Sequence, residues 1–158
     1  MGQIVRAMSE NMIERIENQR NWAKGHLIEE STLQYDTATG KLALLQGIID
    51  AGYYQKEQTM ELQSLGVVFG DLLAHSLDLE WVEVEDEYGI DPALRHKDTK
   101  THKNILLFPL TMISKRIEDG ESVNVEHLLR VLCNMVQEMI QGNTLQSTDS
   151  YEVGKYES

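Results

Sequence analysis

Near residue 80 the spacing of apolar side chains changes from about four to two, and this restricts the chain to a fold that mixes helices with a sheet. Trp81, Glu83, Glu85 and Glu87 alternate with Val82, Val84, Asp86 and Tyr88, the pattern of a half-buried strand. Gly89 to Pro92 reads as a turn, and two further strands follow, so the strands are expected near 80–88, 92–97 and 103–108. If Val82 and Val84 face the core, Trp81 lies on the other face, where it is either covered by the N-terminal helices or anchors a partner.

Helical periodicity surrounds this sheet. Ile4, Met8, Met12, Ile16 and Gln19 predict a first amphipathic helix from Ile4 to about Trp22. Gly40 and Gly52 bracket a second, from Lys41 to about Tyr53, in which Leu42, Leu45, Ile48 and Ile49 share a face. A third begins near Gln58 or Thr59 and stacks Leu62, Leu65, Phe69, Leu72 and Leu73 along one side. Gly66 and Gly70 within it form a GxxxG pair, which in a soluble helix lets another element approach closely. Pro109 suits the first position of a further helix carrying Leu110, Ile113 and Ile117. Gly120 stops it, and a last helix runs from about Val123 to Gln141 with Gly142 as its cap. The expected class is therefore α+β, with amphipathic helices on a small three-stranded antiparallel sheet. Residues 1–57 form a helical extension packed on the core, 58–143 the core domain, and 144–158 a loose polar tail.

The charge balance narrows the partners. With 14 Lys and Arg against 26 Asp and Glu, the formal net charge is -12, a field that repels phosphate backbones and anionic lipid. No nucleic-acid or membrane role is expected, and a basic protein is the partner that suits the field. The single Cys133 forms no intramolecular disulfide, and Glu10, Glu14 and Glu17 interrupt any signal-like apolar run, so the expectation is a cytoplasmic protein.

Several linked segments carry a resemblance: Leu65 to Gly70, Leu79 to Val82, Asp86 to Gly89, Asp91 to Arg95, and Phe108 to Glu118. Together they resemble the bacterial family known as domain of unknown function 3806, over roughly Thr59 to Val136. The resemblance implies a bacterial origin and an α+β domain. It implies no established activity and so assigns no catalytic residue.

The hairpin is the candidate working surface. A register pairing Glu85 with Arg95 and Glu83 with Lys97 would neutralise much of its charge through cross-strand pairs. Asp86 shares the face of Val82 and Val84 and needs a charged partner there, with Arg95 and Arg116 the candidates. The candidate partner- or ligand-binding residues are thus Trp81, Glu83, Glu85, Asp86, Glu87, Tyr88, Arg95 and Arg116. No catalytic residue, metal site or cofactor is assigned, because His26, His75, His96, His102 and His127 are scattered and Cys133 has no activating neighbour in sequence.

Two functions compete. The first is a non-catalytic interaction domain, such as an immunity or regulatory protein covering a basic partner. The second is an anion- or carboxylate-binding, or weakly enzymatic, domain using Asp86, Tyr88, Arg95 and Arg116 around a pocket between sheet and helices. The Met- and Ile-rich stripe of the first helix is also a candidate homodimer element.

Overall fold

The computed structural model describes residues 2–26, 35–52, 54–98, 103–141 and 151–153. The elements in order are β1 (Ile4–Arg6), α1 (Glu10–Lys24), α2 (Ala38–Ala51), α3 (Thr59–Leu77), β2 (Glu80–Asp86), β3 (Gly89–Asp98), β4 (Lys103–Leu107), a 3-10 turn (Pro109–Thr111), α4 (Met112–Glu118), α5 (Val125–Ile140) and β5 (Tyr151–Val153). The class is α+β, as the change of period requires.

The sheet has strand order β1-β2-β3-β4-β5. The expected strands β2, β3 and β4 form its middle and pair antiparallel. Two edge strands were not expected. β1 pairs antiparallel with β2, and β5 pairs parallel with β4 inside the stretch read as a tail. The remainder of that tail, residues 144–150 and 154–158, lies outside the described residues, as do residues 142 and 143, which include the Gly142 cap, and His102.

Residues 4–6 are strand rather than the start of the first helix. Ser9 is the reason: it takes an extended conformation and its hydroxyl accepts the Met12 N–H, so α1 begins at Glu10. Val5 then joins the small cluster that contains Val84, its cross-strand neighbour. Likewise α2 starts at Ala38 rather than Lys41, because the Thr37 hydroxyl accepts the Gly40 N–H and caps the helix three residues earlier.

α3 is the central element. Its buried side includes Leu62, Leu65, Phe69, Leu72 and Leu73, the predicted stripe, and widens to Val67, Val68 and Leu77. The main core joins this helix to Leu45 and Ile48 of α2, Val125, Leu132 and Val136 of α5, and Leu94, Ile105 and Leu107 of the sheet. α1 packs on another side of α3, where Met12 and Ile16 meet Val67 and Leu110. The opposite face of the sheet holds a smaller cluster of Val82, Val84, Ala93, Leu106 and Phe108.

The GxxxG pair of α3 is a seat for the sheet and the turn after it. A side chain at Gly66 would drive its Cβ into the Leu110 backbone, and one at Gly70 would meet the Trp81 ring at 2.5 Å and the Pro109 ring at 2.9 Å. Only glycine admits both contacts.

Candidate functional site

The hairpin register differs from the expected one. Glu80 faces Arg95, Glu83 faces Pro92 and Asp86 faces Gly89, leaving a two-residue tip, Glu87-Tyr88. Tyr88 donates its N–H to Asp86 Oδ1 at 2.8 Å, and Gly89 takes a φ of 130° that suits glycine alone. The tighter turn shifts every charge pair. Arg95 engages Glu80, not Glu85, with Nε at 3.0 Å.

Glu83 is the buried carboxylate of the hairpin, 2% exposed. Its Oε1 accepts the Ser9 N–H at 2.8 Å, and its Oε2 accepts Arg6 Nε at 2.7 Å. Arg6 also donates to Glu85 at 2.8 Å. The Ser9 N–H foremost, and Arg6 with it, hold the Glu83 carboxyl below the ordinary carboxylate range. Glu83 and Glu85 therefore fasten β1 and the start of α1 to the sheet.

Trp81 is covered by the helices, the first of the two alternatives open for it. Its ring packs against both the main core and the Met12-Ile16-Val67-Leu110 cluster. Its indole N–H donates to Asp71 Oδ1 at 3.0 Å. Asp71, on α3, is a hub that the sequence reading missed. Arg20 of α1 reaches it with Nε at 2.7 Å and Nη2 at 2.9 Å, and the Tyr35 hydroxyl donates to its Oδ2. Both carboxylate oxygens thus accept two donors each, which fills the four lone-pair sites of the group. Arg20 turns its remaining Nη1 to Glu17 at 2.7 Å. Burial foremost, and then the Asp71 charge, push the Tyr35 phenol far above its usual value, so it stays neutral and donating. The available signal was Asp71 itself, the one charged residue in the otherwise apolar run Leu65 to Leu73.

The other predicted site residues do not converge. Asp86 and Arg95 stand six residues apart in register along the hairpin, about 20 Å at the rise of a strand, so Arg95 is no partner for Asp86. Arg116 donates to the Met112 carbonyl at 2.8 Å and lines a cleft of about 220 Å³ with Glu121, His127 and Val131, in which Asp86, Tyr88 and Arg95 take no part. Among the described residues no group of three or more His, Cys, Asp or Glu is placed to hold a metal ion.

At the hairpin tip the surface becomes apolar. Tyr88 is 72% exposed, and Ile4 and Ile90, at 48% and 46%, flank Glu85 as its cross-strand neighbours in β1 and β3. Glu87 is exposed beside them.

Among the described residues, five helices on a sheet whose strand β2 is tied to the central helix by the half-buried Asp71 carboxylate define a small α+β domain. The chain belongs to the family described as Domain of unknown function (DUF3806), which matches residues 41–128. That span runs from the first turn of α2 into α5 and holds Gly66, Gly70, Asp71 and Trp81. A crystal structure from Bacteroides thetaiotaomicron is similar in fold, with a TM-score of 0.64 at 16% identity over 85% of this chain. The chain spans about half of that protein's length, 48%. No curated protein matches the sequence. No helix among the described residues is long and apolar enough to cross a membrane.

Proposed function

We propose that this chain is a non-catalytic interaction domain that presents the tip of the β2-β3 hairpin to a basic protein partner. The observation that carries the reading is the tip itself, where Tyr88, Ile90 and Ile4 expose apolar surface around Glu85 and beside Glu87. Exposed aromatic and aliphatic side chains bordered by acids suit a partner with an apolar anchor site rimmed by Lys or Arg. The net charge of -12 would speed encounter with such a surface. One concrete form is an immunity or regulatory protein that covers the basic site of a bacterial toxin.

The acids now have separate parts. Glu80, Glu83 and Glu85 take part in ion pairs that hold the sheet, so the contact surface reduces to the tip. Affinity capture with wild type and with a Tyr88→Ser, Glu87→Gln, Ile90→Thr variant tests this. A partner retained by wild type and lost by the variant, at unchanged melting temperature, is the expected result. A partner set that does not respond to the variant removes the hairpin tip from the function.

A further inference from the structure

On the buried side of α1, Met12, Ile16 and Ala23 are apolar and Gln19 alone is polar. Gln19 is 6% exposed, and its Oε1 is fully buried without a hydrogen-bond partner. Its Nε2 makes no hydrogen bond among the described residues either. An amide taken out of water with neither end paired is unfavourable, because its desolvation is not offset. Within the protein nothing answers it.

Gln19 lines a pocket of about 180 Å³ together with Asn18 and Trp22 of α1 and Met60, Glu61 and Ser64 of α3. The Ser64 hydroxyl is engaged, donating to the Met60 carbonyl at 2.9 Å, and Asn18 is exposed to water. Gln19 is therefore the buried polar side chain of the pocket whose hydrogen bonds remain open. Trp22 supplies an aromatic group and Met60 a thioether, both suited to a flat ring, and Met60 stands 66% exposed until something covers it. Since a dry cavity of about 150 Å³ holds benzene, this one takes a single ring with a small substituent. Glu61 is the sole charge among the lining residues, which disfavours an anion.

We infer that this pocket between α1 and α3 binds a small neutral aromatic carboxamide, whose amide pairs with that of Gln19. A carboxamide carries an N–H donor and a C=O acceptor on one edge, the two functions that Gln19 Oε1 and Nε2 lack. The last side-chain bond of a glutamine is a soft two-fold torsion, so the Gln19 amide can turn its edge to the ligand. A carboxylate brings no donor and meets Glu61, and a bare hydrocarbon leaves the amide unpaired. The site is separate from the hairpin tip and stands without the interaction reading.

Benzamide is the probe, titrated into the full chain while the indole N–H signals of Trp22 and Trp81 are followed by nitrogen-proton correlation NMR, with Trp81→Phe assigning them. The expected result is a saturable movement of the Trp22 signal with that of Trp81 unmoved, at a Kd of about 0.1–1 mM for a ligand of this size. N,N-dimethylbenzamide, which has no N–H, and benzoate should each bind roughly tenfold more weakly or worse. Gln19→Leu should weaken benzamide by roughly tenfold while keeping or raising the melting temperature, since it replaces an unpaired buried amide with an apolar side chain of similar size. Met60→Ala changes an exposed residue, so it keeps the test valid if Gln19→Leu does not fold, and it should weaken benzamide severalfold. No saturable Trp22 shift at about 10 mM benzamide, equal binding of dimethylbenzamide or benzoate, or undiminished binding by Gln19→Leu or Met60→Ala overturns the proposal.

Discussion

The indole N–H of Trp81 donates to Asp71 Oδ1 across 3.0 Å, so the second residue of β2 is tied directly to the middle of α3. Arg20 and Tyr35 meet the same carboxylate, which therefore joins α1, α3, the approach to α2 and the sheet. Replacing Asp71 with Ala leaves the Arg20 guanidinium, 18% exposed, with only the exposed Glu17 as a counterion. The pair is only partly buried and Arg20 keeps Glu17, so the loss should be about 1–3 kcal/mol. Urea unfolding should show this loss for Asp71→Ala, with Trp81→Phe losing less because only one of four donors is removed.

The glycines of α3 give a sharper test of packing. Gly66→Ala drives a Cβ against the backbone of Leu110, which cannot rotate away, so it should destabilise by about 1–3 kcal/mol or more. Gly70→Ala meets the Trp81 and Pro109 rings and should cost a similar amount. Gly47, inside α2, has open space where a methyl group would stand, with nothing within 4 Å, and Gly47→Ala should stabilise by about 0.4–1 kcal/mol. Equal effects at the three glycines in thermal unfolding would contradict the seat described for Pro109-Leu110 and Trp81.

Cys133 offers a kinetic check on α5. Burial raises its thiol above the ordinary value, so the thiolate that reacts is scarcer than for a free cysteine. Alkylation of the native chain at pH 7.5 should be slower than that of the urea-unfolded chain. Cys133 packs, partly buried, against the main core, and a faster native reaction would place it outside that packing.

What was legible in the sequence was periodic. The stripe Leu62 to Leu73 predicted the buried side of α3, and the alternation at Trp81 to Tyr88 predicted the strand. The register was not legible, because alternation fixes which residues share a face but not where the chain turns. The real two-residue tip depends on the Asp86 carboxylate accepting the Tyr88 N–H, a local bond that no period encodes. The edge strand β1 was hidden for a related reason. Ile4, Met8 and Met12 fit a helical spacing, and the break between strand and helix rests on one residue, Ser9, whose N–H goes to Glu83 more than seventy residues away. The sequence placed the core on the side of Val82 and Val84, but the main core lies on the side of Trp81 and Leu94, and Val82 and Val84 enter the smaller cluster on the opposite face. The network that holds the Trp81 indole requires Arg20, Tyr35 and Asp71, which approach only in three dimensions.

Glu83 should leave a signature in the acid limb of stability. In the folded chain its carboxyl titrates below the ordinary range, because the Ser9 N–H and Arg6 both favour the charged form. The unfolded chain therefore binds this proton at a higher pH than the folded chain does. Stability from Glu83 is complete above the unfolded value, about 4.3, and is lost as pH falls from there through the depressed folded value. Glu83→Gln removes that proton-linked loss, so its melting temperature should fall less steeply than wild type below pH 4.5. At pH 7 the same variant should be the less stable of the two, since the amide keeps the shape of the group but gives Arg6 no counter-charge. Melting curves from pH 3 to 7 check both parts, and parallel acid limbs for the two proteins would show that the Glu83, Ser9 and Arg6 contacts do not hold the carboxyl in its charged form.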